Sequence, residues 1–511
     1  MAHPLRAARA PSRGACPDTR RPADLSCLVS GRASTTGAAC KARWRTGRAG
    51  SAAVARCVAT ALAAMALQAH AADLVDAWQA AQGVDPQFAS ARAAREAGEA
   101  RREQGASLWR PSLQLSGTVG VANGETSTNG ARFSAPGFGT VDGANFDTSI
   151  NGGTATRWAL QAKQPLINRE RDAQKRQLEL SAEVADLEWR AAQQGLMLRV
   201  AERYFDAALA AEVLRVQRRQ QESVERSLTE ARDRFKLGDA PVTDTHEAAA
   251  RAQAVRAEVL AAETMLTLKQ VALADITGWS GPQLQSLRLA ASMPPQDAQA
   301  LDLWLAEAKT GNLQLRMQAA GVEVARQEAS RYSAAAAPTL DLVASVGQDR
   351  LSGSGDFGSA TNSQTNALIG VQLNVPLYTG GWRSARETET LRLAAKAASD
   401  GEAQAQQVAL QTRAAWLGLT VGASRVAALD EALRATRSRL DATRIGRQVG
   451  ERTTLELLNA ENDAAAAELA LTQARVALLL DRLRLAALAG RLDEVQLQQV
   501  NASLQADART R

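Results

Sequence analysis

The sequence has 511 residues, with 60 Lys and Arg, 54 Asp and Glu, 4 Cys, 3 His and a net charge of +6. Residues 1–71 contain 11 of the basic residues, 2 of the acidic ones, all four cysteines and two histidines. Residues 72–511 therefore carry 49 basic and 52 acidic residues, which gives a net charge of −3. This composition excludes Cys/His zinc sites, thiol nucleophiles and disulfide scaffolds from residues 72–511, and it argues against a basic nucleic-acid groove. We expect no cofactor, no metal and no nucleic-acid partner.

The N-terminal residues 1–71 are predicted to be a leader. Basic residues precede the apolar run at 57–67, and the small-x-small sequence Ala-His-Ala follows at 69–71. This order is typical of a secretory signal peptide at about 51–71, whereas a transmembrane helix needs roughly 20 apolar residues. The alternative is an ordinary buried helix. Residues 1–50 fit no part of a signal peptide, and we expect that translation begins after them.

Long helices dominate the rest of the chain. Residues 169–236 contain no proline, and their apolar residues recur at steps of three and four. A helix of this length would extend about 100 Å, which indicates coiled-coil or tubular packing. Gly238 and Pro241 then predict a turn, followed by a second helix over 242–276. The corresponding helices of the second half are predicted at 382–448 and 453–488.

An internal tandem duplication is predicted, with repeats at 72–298 and 299–494 and a polar C-terminal tail at 495–511. Similar short segments recur in the same order at offsets of 227, 211 and 212 residues, among them Leu237-Gly-Asp and Val449-Gly-Glu. Each repeat is expected to contain one helix, two strands, a long helix and a further helix.

Strands are predicted at 111–121, 157–166, 338–347 and 366–377, because apolar and polar residues alternate there. Each is about ten residues long, the length that crosses a membrane at a tilt. Polar loops are expected at 122–155 and 348–365, within the two strand pairs. A half-buried sheet in a soluble α+β domain is the alternative.

Four strands cannot close a barrel, because small barrels need about eight. An open sheet in lipid would leave unpaired edges, and each unsatisfied backbone group there costs several kcal/mol. Oligomerisation is therefore expected, and three chains would supply twelve strands, although the pattern alone does not fix the number three.

The duplicated order of helix, strand pair, long helix, glycine turn and helix resembles the TolC-type outer-membrane efflux and secretion channels over about residues 73–494. The motifs that carry the resemblance are Trp109-Arg-Pro-Ser-Leu, Ala337-Pro-Thr-Leu, Val375-Pro-Leu-Tyr-Thr-Gly-Gly, Leu237-Gly-Asp-Ala-Pro-Val-Thr-Asp and Val449-Gly-Glu-Arg-Thr-Thr-Leu-Glu-Leu-Leu-Asn-Ala.

The resemblance implies a mixed α+β membrane protein, a homotrimer with a 12-stranded outer-membrane β-barrel continued by a long periplasmic α-helical barrel. Such a channel conducts cargo without bond chemistry, so we expect no catalytic residue and no enzymatic activity. Its expected partners are outer-membrane lipid, a periplasmic adaptor (membrane fusion) protein and an inner-membrane transporter, either an ABC transporter or a proton-driven pump. The cargo, small molecules or secreted protein, is left open.

The resemblance also places a gate at the periplasmic ends of the helices. Carried over by position, Asp244 matches an acidic gate residue and Arg452 its basic partner, while Glu456 and Asn459 fall where two aspartates often face the pore. Arg447 stands where an aromatic gate residue is common. Gly238 and Gly450 mark the hairpin turns, and four prolines mark the junction of barrel and helices: Pro111, Pro165, Pro338 and Pro376.

Alternatives remain for these residues and for the function. Asp244 is equally well explained as a first-turn acid at the positive end of a helix, and Arg452 as a solvated surface charge. A periplasmic coiled-coil adaptor or scaffold without a pore is the second function considered. Adaptors typically have one hairpin, however, whereas this sequence predicts two hairpins and paired amphipathic strands.

Overall fold

The computed structural model describes residues 73–239, 241–287, 289, 299–356 and 358–505. All of them belong to one compact unit, His70–Arg511. The predicted leader, residues 1–71, lies outside the described residues.

The two halves of the chain contain the same series of elements. In the first half these are α1 (Leu74–Val84), α2 (Pro86–Ser107), β1 (Ser112–Ala135), β2 (Gly139–Ile167), α3 (Arg169–Lys236), α4 (Val242–Thr277) and the short α5 (Gly281–Gln285). In the second half they are α6 (Leu301–Gly311), α7 (Leu313–Ala334), β3 (Thr339–Gly355), β4 (Gly358–Asn374), α8 (Trp382–Gln448), α9 (Thr454–Leu488) and α10 (Glu494–Gln505).

The observed bounds of α3 and α8 coincide with the predicted ones. Before each strand pair, however, the structure contains two helices where the sequence predicted one. The break falls at Asp85 and at Asn312, each of which is the N-cap of the longer helix that follows. The Asp85 carboxylate accepts from the backbone N–H of Gln87 at 2.9 Å, and the Asn312 side chain accepts from that of Leu315 at 3.1 Å. Such caps satisfy backbone donors that a new helix start leaves free.

The four strands form one antiparallel sheet in the order β1-β2-β3-β4. Leu115, Leu160, Val346 and Ala367 pair directly across it and form one apolar row. The next row is mostly polar, so the predicted alternation gives the sheet one apolar and one polar face.

The strands are much longer than predicted, and the expected polar loops at 122–155 and 348–365 are wrong. Most of both segments is strand, and β1 and β2 are joined by only three residues, 136–138. Polar residues predominate on both faces of these extensions, so no regular alternation marks them. The backbone ladder nevertheless continues, and Phe133 packs on Phe146 with ring centroids 5.0 Å apart. At the other end β4 stops at Asn374, before Pro376, which has no N–H to donate.

The polar tail predicted at 495–511 is also wrong, because α10 covers most of it and packs into the main apolar core. Leu497, Val500 and Leu504 are buried on one face of α10. Asn501 bonds to the start of α1: its Oδ1 accepts from the Leu74 backbone N–H at 3.1 Å, and its Nδ2 donates to Asp73 at 2.7 Å. Buried residues at steps of three and four are the signal that the polar composition obscured.

Leu497→Ala should lower the free energy of unfolding by about 2–5 kcal/mol, because it leaves a cavity at a fully buried position. The matched control is Val495→Ala on the same helix, since Val495 is 55% exposed. Denaturant midpoints of the two purified variants test this. Equal midpoints would show that α10 does not contribute to the core.

Candidate functional site

Each half of the chain contains a helical hairpin, α3–α4 (the first hairpin) and α8–α9 (the second hairpin). Gly238 and Gly450 form the two turns, which we call the tip, and both adopt positive φ, 78° and 84°. In each turn the next N–H bonds back five residues, from Asp239 to Arg234 at 2.9 Å and from Glu451 to Gly446 at 2.8 Å. This helix stop requires a left-handed residue, which explains why glycine occupies both positions.

Asp244 lies in the first turn of α4 and faces the second hairpin. The Thr454 hydroxyl, on the first residue of α9, donates to the Asp244 carboxylate at 3.4 Å. The predicted gate residue therefore does link the two hairpins, and it also sits at the favourable positive end of a helix.

The predicted partner of Asp244, Arg452, bonds elsewhere. Its guanidinium donates to Glu456, one turn further along, at 2.8 Å. Glu456 also accepts from the Thr453 backbone N–H and forms a capping box with it. These bonds, from the Thr453 N–H first and then from Arg452, hold the pKa of Glu456 below its ordinary value.

No ion pair joins Asp244 to Arg452 among the described residues of this single chain, and their pairing at the gate stays a prediction. Arg452 lies in the turn before α9 and bonds to Glu456 in the first turn of that helix. Asn459 is exposed one turn beyond Glu456. Whether these residues face a pore stays a prediction.

Arg447 forms a second link between the hairpins at the tip. It lies near the end of α8, its side chain is only 9% exposed, and its guanidinium contacts the Glu230 carboxylate of α3 at 2.9 Å. Glu230 is 47% exposed. This ion pair joins the first hairpin to the second, a role that the sequence did not reveal because Glu230 is one of many acids on α3.

Further polar links follow α9 at heptad spacing, at Glu461, Glu468 and Arg475. Glu461 accepts from Ser223 of α3 at 2.6 Å and from Arg444 of α8 at 3.4 Å. The sequence analysis did not predict this series, although the spacing of seven residues between Glu461, Glu468 and Arg475 is a signal that could have revealed it.

Glu468 has the most partners in the series. Arg215 and Arg219 of α3 approach its carboxylate at 3.1 and 2.7 Å, and Arg437 of α8 at 3.5 Å, while Glu468 is 15% exposed. Burial alone would raise its pKa, but the bond from Arg219 and the charges of Arg219, Arg437 and Arg215 hold the pKa below its ordinary value.

Away from the tip, the sheet exposes its apolar face. Leu115 of β1 is 71% exposed and Ile369 of β4 is 78% exposed. Within the described sheet, β1 and β4 each pair on one side only. The four junction prolines lie at the helix-proximal strand ends, where a missing N–H is tolerated: Pro111, Pro165, Pro338 and Pro376.

The chain matches the family model described as outer membrane efflux protein over residues 77–279 and 304–491. The chain belongs to the outer membrane efflux protein family. It is similar to the outer membrane protein TolC of Vibrio cholerae serotype O1, with 32% identity over 329 residues, 64% of this chain and 74% of TolC. It is also similar to the proteases secretion protein PrtF of Dickeya chrysanthemi, with 28% identity over 441 residues, 86% of this chain and 92% of PrtF.

The fold agrees with that of solved outer membrane proteins. The outer membrane protein VceC of Vibrio cholerae superposes with a TM-score of 0.64 at 18% identity, over 82% of this chain and 96% of VceC. The resemblance to TolC-type channels is thus confirmed, as is the expected location in the outer membrane with a periplasmic part. None of the helices among the described residues has the length and apolar character to cross a membrane.

The Glu468 carboxylate should make the stability of the helical region depend on acid pH. Because the pKa of Glu468 is lowered in the folded state, its ionised carboxylate stabilises the fold fully at pH values above the ordinary pKa of 4.5. This stabilisation is lost as the pH falls through the lower, folded-state pKa. The unfolding midpoint of the unaltered protein should therefore fall more steeply between about pH 5 and pH 3 than that of Glu468→Gln. The control is Glu263→Gln, which removes an exposed pair within the first hairpin. Parallel profiles for the unaltered protein and Glu468→Gln would contradict the assignment.

Proposed function

We propose that this protein is the outer-membrane exit duct of a tripartite export machine, a passive conduit gated at its periplasmic end. The observation that carries the proposal is the combination of a four-stranded sheet with an exposed apolar face and two long helical hairpins in one chain. The exposed apolar face of the sheet can contact lipid, and the two long hairpins can form the wall of a tube below the sheet.

A homotrimer with a shared 12-stranded barrel is the assembly that we favour. The open edges of β1 and β4 would leave a row of backbone N–H and C=O groups unpaired in lipid, each at a cost of several kcal/mol. Pairing β1 of one chain with β4 of the next removes both edges. Twelve strands also exceed the roughly eight at which side chains fill the interior, so a lumen remains.

The gate is assigned to the tip residues Arg447, Asp244, Arg452, Glu456 and Asn459. Asp244 and Arg447 link the hairpins by single polar contacts, which a partner protein can displace without exposing apolar core. Arg452 and Glu456, which satisfy each other locally, supply charge at the entrance.

The proposed partners are a periplasmic adaptor protein that holds the tip and an inner-membrane transporter that supplies the energy. The chain itself carries out no bond chemistry in this scheme. The name of PrtF describes protease secretion, and the matched family model is described as outer membrane efflux protein. Type I protein secretion and small-molecule efflux are therefore the two cargo classes considered.

The assembly can be tested on outer membranes from cells that express the full chain. An unheated sample should migrate in SDS gels as a trimer and a heated one as a monomer, because heat breaks the backbone pairing that closes the barrel. Purified trimers should form ion-conducting channels in planar bilayers. A monomer in the soluble periplasmic fraction, without channels, would favour the adaptor or scaffold alternative.

Arg447→Ala should make the closed channel leak. We expect the open probability to rise roughly tenfold, which is equivalent to about 1.4 kcal/mol. This free energy is smaller than the cost of breaking a fully buried ion pair, because Glu230 is half exposed. Single-channel recording at low voltage measures this.

The matched control for Arg447→Ala is Arg226→Ala, which removes an exposed arginine whose partner, Glu222, lies on its own helix. Exchange of the two charges, Glu230→Arg with Arg447→Glu, should restore closure. A leak that is equal in the control, or absent from Arg447→Ala, would remove this pair from the gate.

A further inference from the structure

The seam between the two hairpins changes character along α9. On the tip side the two hairpins are joined by single contacts: Thr454 bonds to Asp244, Arg447 pairs with Glu230, and Ser223 bonds to Glu461. Each of these layers therefore loses one bond between the hairpins when they separate.

The Glu468 layer differs from the layers nearer the tip. Glu468 lies twelve residues beyond Glu456, about 18 Å along the helix. Two arginines of the first hairpin and one of the second converge on its mostly buried carboxylate. Separating the hairpins here would pull Glu468 away from the two arginines of α3 and leave charges poorly compensated, which is costly in a partly buried site.

Beyond Glu468 more apolar residues of α9 pack against the first hairpin. Five of them share the main apolar core with Tyr204 and Phe205 of α3: Val476, Leu479, Leu480, Leu483 and Ala486. On the tip side, one residue of α9, Leu458, lies in the apolar cluster of the first hairpin. Opening this part would expose apolar area at about 25 cal/mol per Å².

We infer that Glu468, with Arg215, Arg219 and Arg437, is a fixed ionic node at which the separation of the two hairpins ends. The hairpins part on the tip side of the node and stay packed on the other side. The node therefore sets how far the channel can open. This inference rests on the proposed gated channel and adds the position of its pivot.

Two ion pairs on either side of the node allow a matched test. Glu230–Arg447 lies on the tip side, and Glu202–Arg484, at 2.7 Å, joins α3 to α9 on the far side. Each pair is replaced by two cysteines in the full chain, and a flexible bismaleimide then cross-links them. Residues 72–511 contain no cysteine, so no other thiol there competes.

The two cross-links should have opposite effects in planar bilayers. Cysteines at 230 and 447 remove the tip pair and open the channel, and their cross-link should lower the open probability about tenfold again. Cysteines at 202 and 484, combined with Arg447→Ala, should give an open channel whose open probability the cross-link leaves unchanged. Closure by the 202–484 cross-link while Glu468 is intact would overturn the inference.

Removing the node should extend the opening past it. In the Arg447→Ala, Glu202→Cys and Arg484→Cys background, Glu468→Gln should raise the conductance and make the channel sensitive to the 202–484 cross-link. Glu263→Gln is the matched control, because its pair with Arg218 stays within the first hairpin. Identical behaviour of the Glu468→Gln and Glu263→Gln channels would also overturn the inference.

Two further measurements distinguish a variant that fails to assemble from a result that contradicts the ionic node. Trimer recovery on unheated gels shows whether Glu468→Gln assembles, and Arg437→Gln weakens the node at a side chain that is 56% exposed. If Glu468→Gln does not assemble, Arg437→Gln must raise the conductance, and no rise would overturn the node. Absence of channels even from the unaltered trimer would instead overturn the proposed function.

Discussion

The backbone of a strand needs a partner on both sides, and in lipid no water can replace one. This constraint shapes most of what is proposed for the protein. A sheet of four strands leaves β1 and β4 with one open edge each, and it exposes apolar residues such as Leu115 and Ile369. Both features are unfavourable in a soluble monomer and favourable in a shared barrel. The helical hairpins then have to follow the same symmetry below the sheet.

A second constraint acts within the hairpins. A tube that opens must separate helices that also hold the fold together. In the proposed channel these tasks are divided along α9: single contacts join the hairpins at the tip, whereas the main apolar core near α1 and α10 holds the far end together. Glu468 lies between the two regions, where a mostly buried carboxylate with several cationic partners is costly to separate from them.

The candidate site shows how far a sequence position determines a contact. Family resemblance selected Asp244, Arg447 and Arg452, and all three lie near the hairpin turns. The sequence position did not determine their partners: Arg452 bonds to Glu456, four residues further along the chain, while Arg447 pairs with Glu230 on the other hairpin. The choice depends on which of many acids stands opposite each arginine, and only the packing of the helices fixes that.

The sequence by itself determined the long helices, the glycine turns, the duplicated order of elements and the amphipathic parts of the strands. Each of these leaves a local signal, either a period of 3.6 or 2 residues or a residue with positive φ. Tertiary structure decided the polar strand extensions, the docking of α10 and the partners of Glu468 and Arg447. These depend on cross-strand pairing and on side chains far apart in the chain, for which a single sequence carries no local pattern.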